Sequence, residues 1–177
     1  MLGGTSRIGV VGHVLVHSSL LHLLGNMLFL WVFGNAVCAK VGNLAYPFVY
    51  FGLALVAGPT AHLIDPRPAV GASGAINGIV GMFVVWYLWN EISCWYVYWV
   101  FAAGGVGTFS VSSVWMVVLW FAFDVWGAMR GDSTITYAAH LAGFAAGFAL
   151  AVLLLLTRWV EMDPGERSLL QAFAGEE

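Results

Sequence analysis

Long apolar intervals dominate the chain, separated by isolated charged residues or short charged groups. The apolar intervals cover residues 8–39, 41–64, 68–90, 92–123 and 133–157. A helix of roughly 20 residues crosses about 30 Å of hydrocarbon, so each interval is long enough for one membrane crossing. The pattern therefore predicts about five transmembrane helices.

The fourth interval does not have the pattern of one straight helix, because Gly104, Gly105, Gly107 and the polar stretch 110–113 interrupt it. Residues 92–103 are too short to cross and are rich in Trp and Tyr, which favours a short interfacial or re-entrant segment. Residues 111–129 then form the crossing. The predicted fold class is all-α: a polytopic membrane helix bundle of about five transmembrane helices plus that short segment.

Composition agrees with a bilayer environment. The 177 residues are 61% hydrophobic and 8% charged, a balance that a water-soluble domain of this size does not normally show. We therefore expect contact with membrane lipid over residues 1–160, followed by a short polar tail at 161–177. The net charge of −3 and the scattered basic residues argue against a nucleic-acid partner, and they leave the orientation in the membrane open.

Polar side chains inside apolar spans are costly, so each needs a partner or a function. They cluster in three spans: His13, His17, His22 and Asn26 in the first, Ser73 and Asn77 in the third, and His140 in the last. Successive crossings alternate in direction, which places the N-terminal halves of the first, third and fifth spans in one leaflet. Most of these side chains lie in those halves, so they should meet there.

Helical geometry divides the first group, at about 100° per residue. His22 and Asn26 are about 40° apart, as are His13 and His17, whereas His17 and Asn26 are about 180° apart. We therefore expect His13 and His17 to hold the first span and its flanking loop, away from the chemistry.

Glycines accompany the Ser and the last His. Gly143 and Gly147 share a stripe with His140, and Gly74 begins a similar stripe beside Ser73. Small residues allow helices to approach closely, as a Ser–His contact between helices requires.

Three motifs, in this order, resemble those of the rhomboid intramembrane serine proteases, particularly bacterial ones. They are the HxxxxHxxxN spacing of His17, His22 and Asn26, the GASG of residues 71–74, and the AHxxGxxxG of residues 139–147. The similarity extends over residues 13–155.

The resemblance implies a multi-pass protein of the bacterial inner membrane that cleaves transmembrane protein substrates without a cofactor or metal. Ser73 would be the nucleophile and His140 its base, as a dyad without a third acid. His22, Asn26 and the backbone N–H of Ser73 would bind the oxyanion. Gly71 and Gly74 would keep the approach to Ser73 open, or alternatively serve helix packing alone.

Other features remain open or depart from the family. Rhomboids normally carry an additional first helix and a loop with a Trp-Arg pair, whereas Arg7 has no Trp before it, so we expect a shortened rhomboid or a five-span protein. Asp132 is expected in a loop and Asp124 to bond to a loop or helix end. Asn77 is either a helix–helix hydrogen bond or a pocket residue.

Rival functions are an inactive rhomboid-like protein that binds transmembrane segments, and a channel or transporter. The first class lacks the Ser or the His, so labelling of Ser73 by a fluorophosphonate probe separates it from an enzyme. A zinc protease would need HExxH, which HSSLLH is not, and an aspartyl protease needs two membrane Asp residues. The substrate and the oligomeric state are not predicted.

Overall fold

A computed structural model describes residues 12–64, 71–100, 103–130 and 137–175. A 3₁₀ turn at His13–Leu15 precedes helix α1. The helices are α1 (Leu20–Val41), α2 (Tyr46–Ile64), α3 (Ser73–Tyr87), α4 (Ser113–Arg130), α5 (Tyr137–Leu156) and α6 (Leu169–Ala174). Strands β1 (Glu91–Val100) and β2 (Ala103–Ser112) lie between α3 and α4.

Helix α3 is the centre of the bundle. All of its residues from Ser73 to Tyr87 are buried, and it contacts α1, α2, α4, α5 and α6. A helix that is apolar on every side either is surrounded by other elements or faces lipid, and α3 is surrounded by other helices of the bundle. Ser73, the first residue of α3, is therefore held by the best-packed element of the fold.

The contact between α3 and α5 brings the two backbones together. A methyl group placed on Gly143 would overlap the carbonyl oxygen of Gly74, and one on Gly147 would overlap that of Gly78. The predicted small-residue stripes thus form the contact that they suggested. The buried residues of α5 lie on this one stripe: Ala139, His140, Gly143, Gly147 and Ala151.

The outside of the bundle is apolar. Large hydrophobic side chains such as Leu24, Trp31, Phe48 and Leu153 are exposed, which is the surface expected of a protein that faces lipid rather than water. By length and hydropathy, α1 and α5 are long and apolar enough to cross a membrane, and α3 and part of α4 are shorter apolar helices. The prediction of about five crossings therefore stays a prediction.

The all-α prediction is wrong for residues 91–112, which form an antiparallel β-hairpin, while the interfacial or re-entrant position of residues 92–103 stays a prediction. Its glycines are strand positions rather than helix breakers, because aromatic rings of β1 cover them: Tyr98 lies over Gly105 and Tyr96 over Gly107. The β-branched and aromatic residues of β1 have high strand propensity and pack well on such a surface.

The predicted helices are otherwise present with shifted ends. The first begins at Leu20, where the Ser19 side chain accepts a hydrogen bond from the His22 N–H and caps the helix. It contains a π-helical turn at Leu30–Gly34 and ends before Gly42, whose φ of +83° suits glycine. Helix α4 begins two residues after the predicted start of its crossing, at Ser113.

The tail is packed more closely than a solvated end. The Lys40 ammonium group at the end of α1 donates to the Asp163 carboxylate at 2.6 Å and to the Glu161 carbonyl at 3.0 Å, and it pairs with Glu166 at 2.6 Å. Ser168 caps α6 and is buried. The segment after residue 160 thus ties back to the bundle, while the predicted domain boundary there stays a prediction.

We predict that Gly147→Ala lowers the free energy of unfolding by about 1–3 kcal/mol or more, because the added methyl group must push α3 and α5 apart. Gly52→Ala on α2 is the matched control, since nothing lies within 4 Å of its added methyl group. Thermal unfolding of both variants in one detergent measures the difference. Equal melting temperatures would contradict the close contact.

Candidate active site

The Ser73 and His140 side chains meet near the N-terminal ends of α3 and α5, where these two helices are in contact. Ser73 is the first residue of α3 and His140 lies in the first turn of α5. The His140 Nε2 atom is 2.8 Å from the Ser73 Oγ atom, and both residues are buried. Gly74 is one residue after Ser73 and Gly143 is three residues after His140. Because the two backbones are in close contact at these glycines, the Ser73 and His140 side chains are near enough to meet.

Asp124 of α4 contacts the other side of the same imidazole. Its Oδ1 atom lies 2.9 Å from His140 Nδ1, and the residue is buried. Asp124 was expected to bond to a loop or helix end, whereas its partner is the His140 side chain, so a carboxylate of α4 adjoins the pair predicted to be a dyad without a third acid. Asp124 lies six residues before the end of α4 and His140 three after the start of α5, so at about 1.5 Å per residue consecutive antiparallel helices place them at similar depth. That depth was the available signal.

The His22 and Asn26 side chains of α1 lie beside Gly71, which is two residues before Ser73. A methyl group on Gly71 would lie 2.8 Å from His22 Cε1, so glycine leaves room for this imidazole, whereas Asn26 Nδ2 at 3.6 Å would be at an ordinary van der Waals distance. The φ of Gly71 is +110°, which also requires glycine. The Asn26 Nδ2 atom is buried and has no hydrogen-bond partner among the described residues. Such a donor is available to a ligand.

His17 belongs with His22, contrary to the face argument. Their ring centroids are 5.2 Å apart in an edge-to-face arrangement. Helical geometry failed because residues 16–19 are not helical, so the 100° rule does not apply before Leu20. The His13 carbonyl oxygen accepts a hydrogen bond from the Gly71 N–H and the His13 ring packs on Gly58 of α2, while its predicted role in holding the first span and its flanking loop stays a prediction.

Gly74 and Asn77 have packing contacts. A methyl group on Gly74 would lie 3.0 Å from the Ala57 methyl group and 3.3 Å from that of Ala139, which favours the helix-packing interpretation. Asn77 Nδ2 donates to the Ser73 carbonyl at 3.0 Å, and Trp120 Nε1 donates to Asn77 Oδ1 at 3.1 Å. Asn77 therefore makes the helix–helix hydrogen bond between α3 and α4.

The predictions for Arg7 and Asp132 lie outside the described residues. Within the described residues, no three His, Cys, Asp or Glu side chains lie close enough together to hold a metal ion. The arrangement thus consists of a Ser–His contact with a carboxylate behind it and amide and imidazole groups beside it.

These features define a helical membrane protein with a buried Ser–His pair on two closely packed helices. The Rhomboid domain family model matches residues 5–157, and the chain belongs to the rhomboid family, whose members are integral membrane proteins.

Named relatives agree with this family assignment. The chain is 30% identical over 139 residues to "Rhomboid protease GlpG" of Klebsiella pneumoniae subsp. pneumoniae, and the aligned region covers 78% of this chain and 45% of the relative. It is 31% identical over 152 residues to "Rhomboid protein 1, mitochondrial" of Saccharomyces cerevisiae, covering 81% and 40%. The chain therefore spans less than half the length of these relatives.

We predict that Gly71→Ala lowers fluorophosphonate labelling of Ser73 by at least roughly tenfold, because the added methyl group would lie 2.8 Å from His22 Cε1 and displace that imidazole. Gly42→Ala is the matched control: it carries the same positive-φ strain, with nothing within 4 Å of the added methyl group. Labelling rates and melting temperatures of both variants measure the two effects. Equal labelling rates for Gly71→Ala and Gly42→Ala would show that Gly71 matters only for its backbone conformation.

Proposed function

We propose that this chain is an intramembrane serine protease of the rhomboid type that cleaves transmembrane protein substrates through Ser73 and His140. The observation that carries the proposal is the 2.8 Å contact between Ser73 Oγ and His140 Nε2, made by residues 67 positions apart in the sequence. A serine hydroxyl is a weak nucleophile until an adjacent base takes its proton, and His140 is the base within reach. Membership of the rhomboid family and the similarity to a named rhomboid protease support the same function.

The reaction follows from this geometry. Ser73 Oγ attacks the scissile carbonyl carbon while His140 Nε2 accepts the hydroxyl proton, and a tetrahedral intermediate with an oxyanion forms. His140 then gives this proton to the departing amine, and the peptide C–N bond breaks to leave an acyl-enzyme. A water molecule, deprotonated by His140, attacks the ester, and Ser73 regains its proton when the acid product leaves.

The oxyanion needs fixed donors where its charge develops. Asn26 Nδ2 is buried without a partner among the described residues, and Gly71 opens the space beside it and His22. In a site that excludes bulk water, such preorganised donors stabilise the transition state more than the substrate. These contacts support Asn26 and His22 as oxyanion donors, and the Ser73 N–H is proposed as a third donor on the resemblance alone.

Membrane location fits the substrate class. The bundle surface is apolar, and the Ser–His pair lies within helices suited to a bilayer. A peptide bond must therefore reach Ser73 from within or beside the membrane, which favours transmembrane segments as substrates. A bacterial inner-membrane location is proposed on the resemblance alone.

We predict that Ser73→Ala and His140→Ala each abolish cleavage of a single-span substrate while the protein remains folded, because the pair acts as one unit. Ser113→Ala is the control for a buried serine elsewhere, whose hydroxyl donates to the Tyr87 carbonyl at 3.2 Å. Exposed His62→Ala is the control for histidine. Cleavage at near the parent rate by either test variant would contradict the proposal. A folded parent chain whose Ser73 resists probe labelling would favour the inactive binding protein.

We predict that Asn26→Ala and His22→Ala lower kcat by roughly tenfold to a thousandfold with little change in KM, as expected for donors used in the transition state. His13→Ala should lower mainly the melting temperature, because the His13 ring packs on Gly58 of α2. Steady-state cleavage in detergent, with a substrate concentration series, separates kcat from KM. A rise in KM alone would assign Asn26 and His22 to substrate binding.

A further inference from the structure

We propose that Asp124 is a positioning residue that holds His140 for the attack by Ser73, so that the reacting group is a Ser–His–Asp chain rather than a dyad. The inference rests on the proposed function. Three side chains from α3, α5 and α4 lie in series: Ser73 Oγ to His140 Nε2 at 2.8 Å, and His140 Nδ1 to Asp124 Oδ1 at 2.9 Å. Both distances are those of hydrogen bonds.

The contact determines which imidazole nitrogen carries the proton. An ionised carboxylate only accepts hydrogen bonds, so His140 Nδ1–H must donate to Asp124. Nε2 is then the unprotonated nitrogen, which accepts from the Ser73 hydroxyl. Without the carboxylate, a neutral imidazole can also carry its proton on Nε2, and that form cannot take the Ser73 proton.

During attack the proton moves only from Ser73 Oγ to His140 Nε2. The Nδ1 proton stays on the ring, and Asp124 remains ionised beside the imidazolium that forms. The carboxylate thus contributes orientation and an opposite charge, and no proton passes to it.

Burial also argues for a role beyond packing. The Asp124 side chain is 10% exposed and that of His140 5%. Asp124 Oδ2 is buried without a hydrogen-bond partner among the described residues. A buried carboxylate with one partner costs stability that an apolar residue of similar size would avoid, so its presence beside the base calls for a functional reason.

The kinetic test uses Asp124→Asn, which keeps the shape of the side chain and removes its charge. The matched control is Trp120→Phe, which removes a hydrogen bond between the same helix and Asn77 without touching His140. We expect Asp124→Asn to lower kcat and the Ser73 labelling rate by at least about a hundredfold, with KM within about threefold of the parent. The control should change kcat by less than about threefold, as expected of a contact outside the chemistry.

A second measurement does not depend on proteolysis. Nitrogen-15 NMR of selectively labelled histidine reports the tautomer, and His140→Ala assigns the signal. In the Ser73→Ala background, we expect His140 to carry its proton on Nδ1, and Asp124→Asn to weaken or reverse that preference.

The outcomes are distinct. Parent-like kcat in folded Asp124→Asn overturns the inference. So does a Ser73→Ala protein whose His140 carries its proton on Nε2, and this second result holds even if the Asp124→Asn variant does not fold. A fall in kcat matched by Trp120→Phe would mark Asp124 as structural and also overturn it. Cleavage by Ser73→Ala would instead overturn the proposed function and leave the tautomer result standing.

Discussion

The close contact of α3 and α5 is the constraint on which the rest of the site depends. Gly74 and Gly143 allow the two backbones to touch, and Gly78 and Gly147 repeat the contact one turn further along. In lipid there is little hydrophobic driving force between helices, so close packing of this kind is what holds them together. A Ser and a His placed just beyond the contact can meet only because the contact fixes the separation and rotation of their helices.

Much of the candidate site was predictable because depth and small residues carry long-range information in a membrane bundle. Ser73 and His140 lie in the N-terminal halves of their helices, which the predicted alternating crossings would place in one leaflet, and the glycine stripes indicated which helices touch. The family resemblance added the oxyanion roles of His22 and Asn26, which composition and spacing alone did not assign. Gly71 was also singled out, although its steric relation to His22 appears only in three dimensions.

Three misassignments have separate physical causes. The position of His17 was inferred from a helix that had not yet begun, since Ser19 caps α1 and the preceding residues follow another path. The hairpin was missed because Gly105 and Gly107 were interpreted as helix breakers. Glycine is accommodated in this strand because aromatic rings of the facing strand cover it, and that pairing is not visible in the sequence. Asp124 was expected to bond to a loop or helix end, because its contact with His140 depends on how α4 packs beside α5, which spacing along the sequence does not give.

The complete burial of α3 has a consequence for how the chain tolerates change. In α5 the buried positions are Ala139, His140, Gly143, Gly147 and Ala151, and the other positions are half-buried or exposed, so substitutions there disturb fewer packing contacts. Helix α3 has no exposed face, since each of its residues from Ser73 to Tyr87 is buried. A complete substitution scan should therefore trace a helical period along α5 and an unbroken block of intolerance along α3. Among the helices that the structure describes, α3 alone is buried at every position, and the proposed nucleophile Ser73 is its first residue.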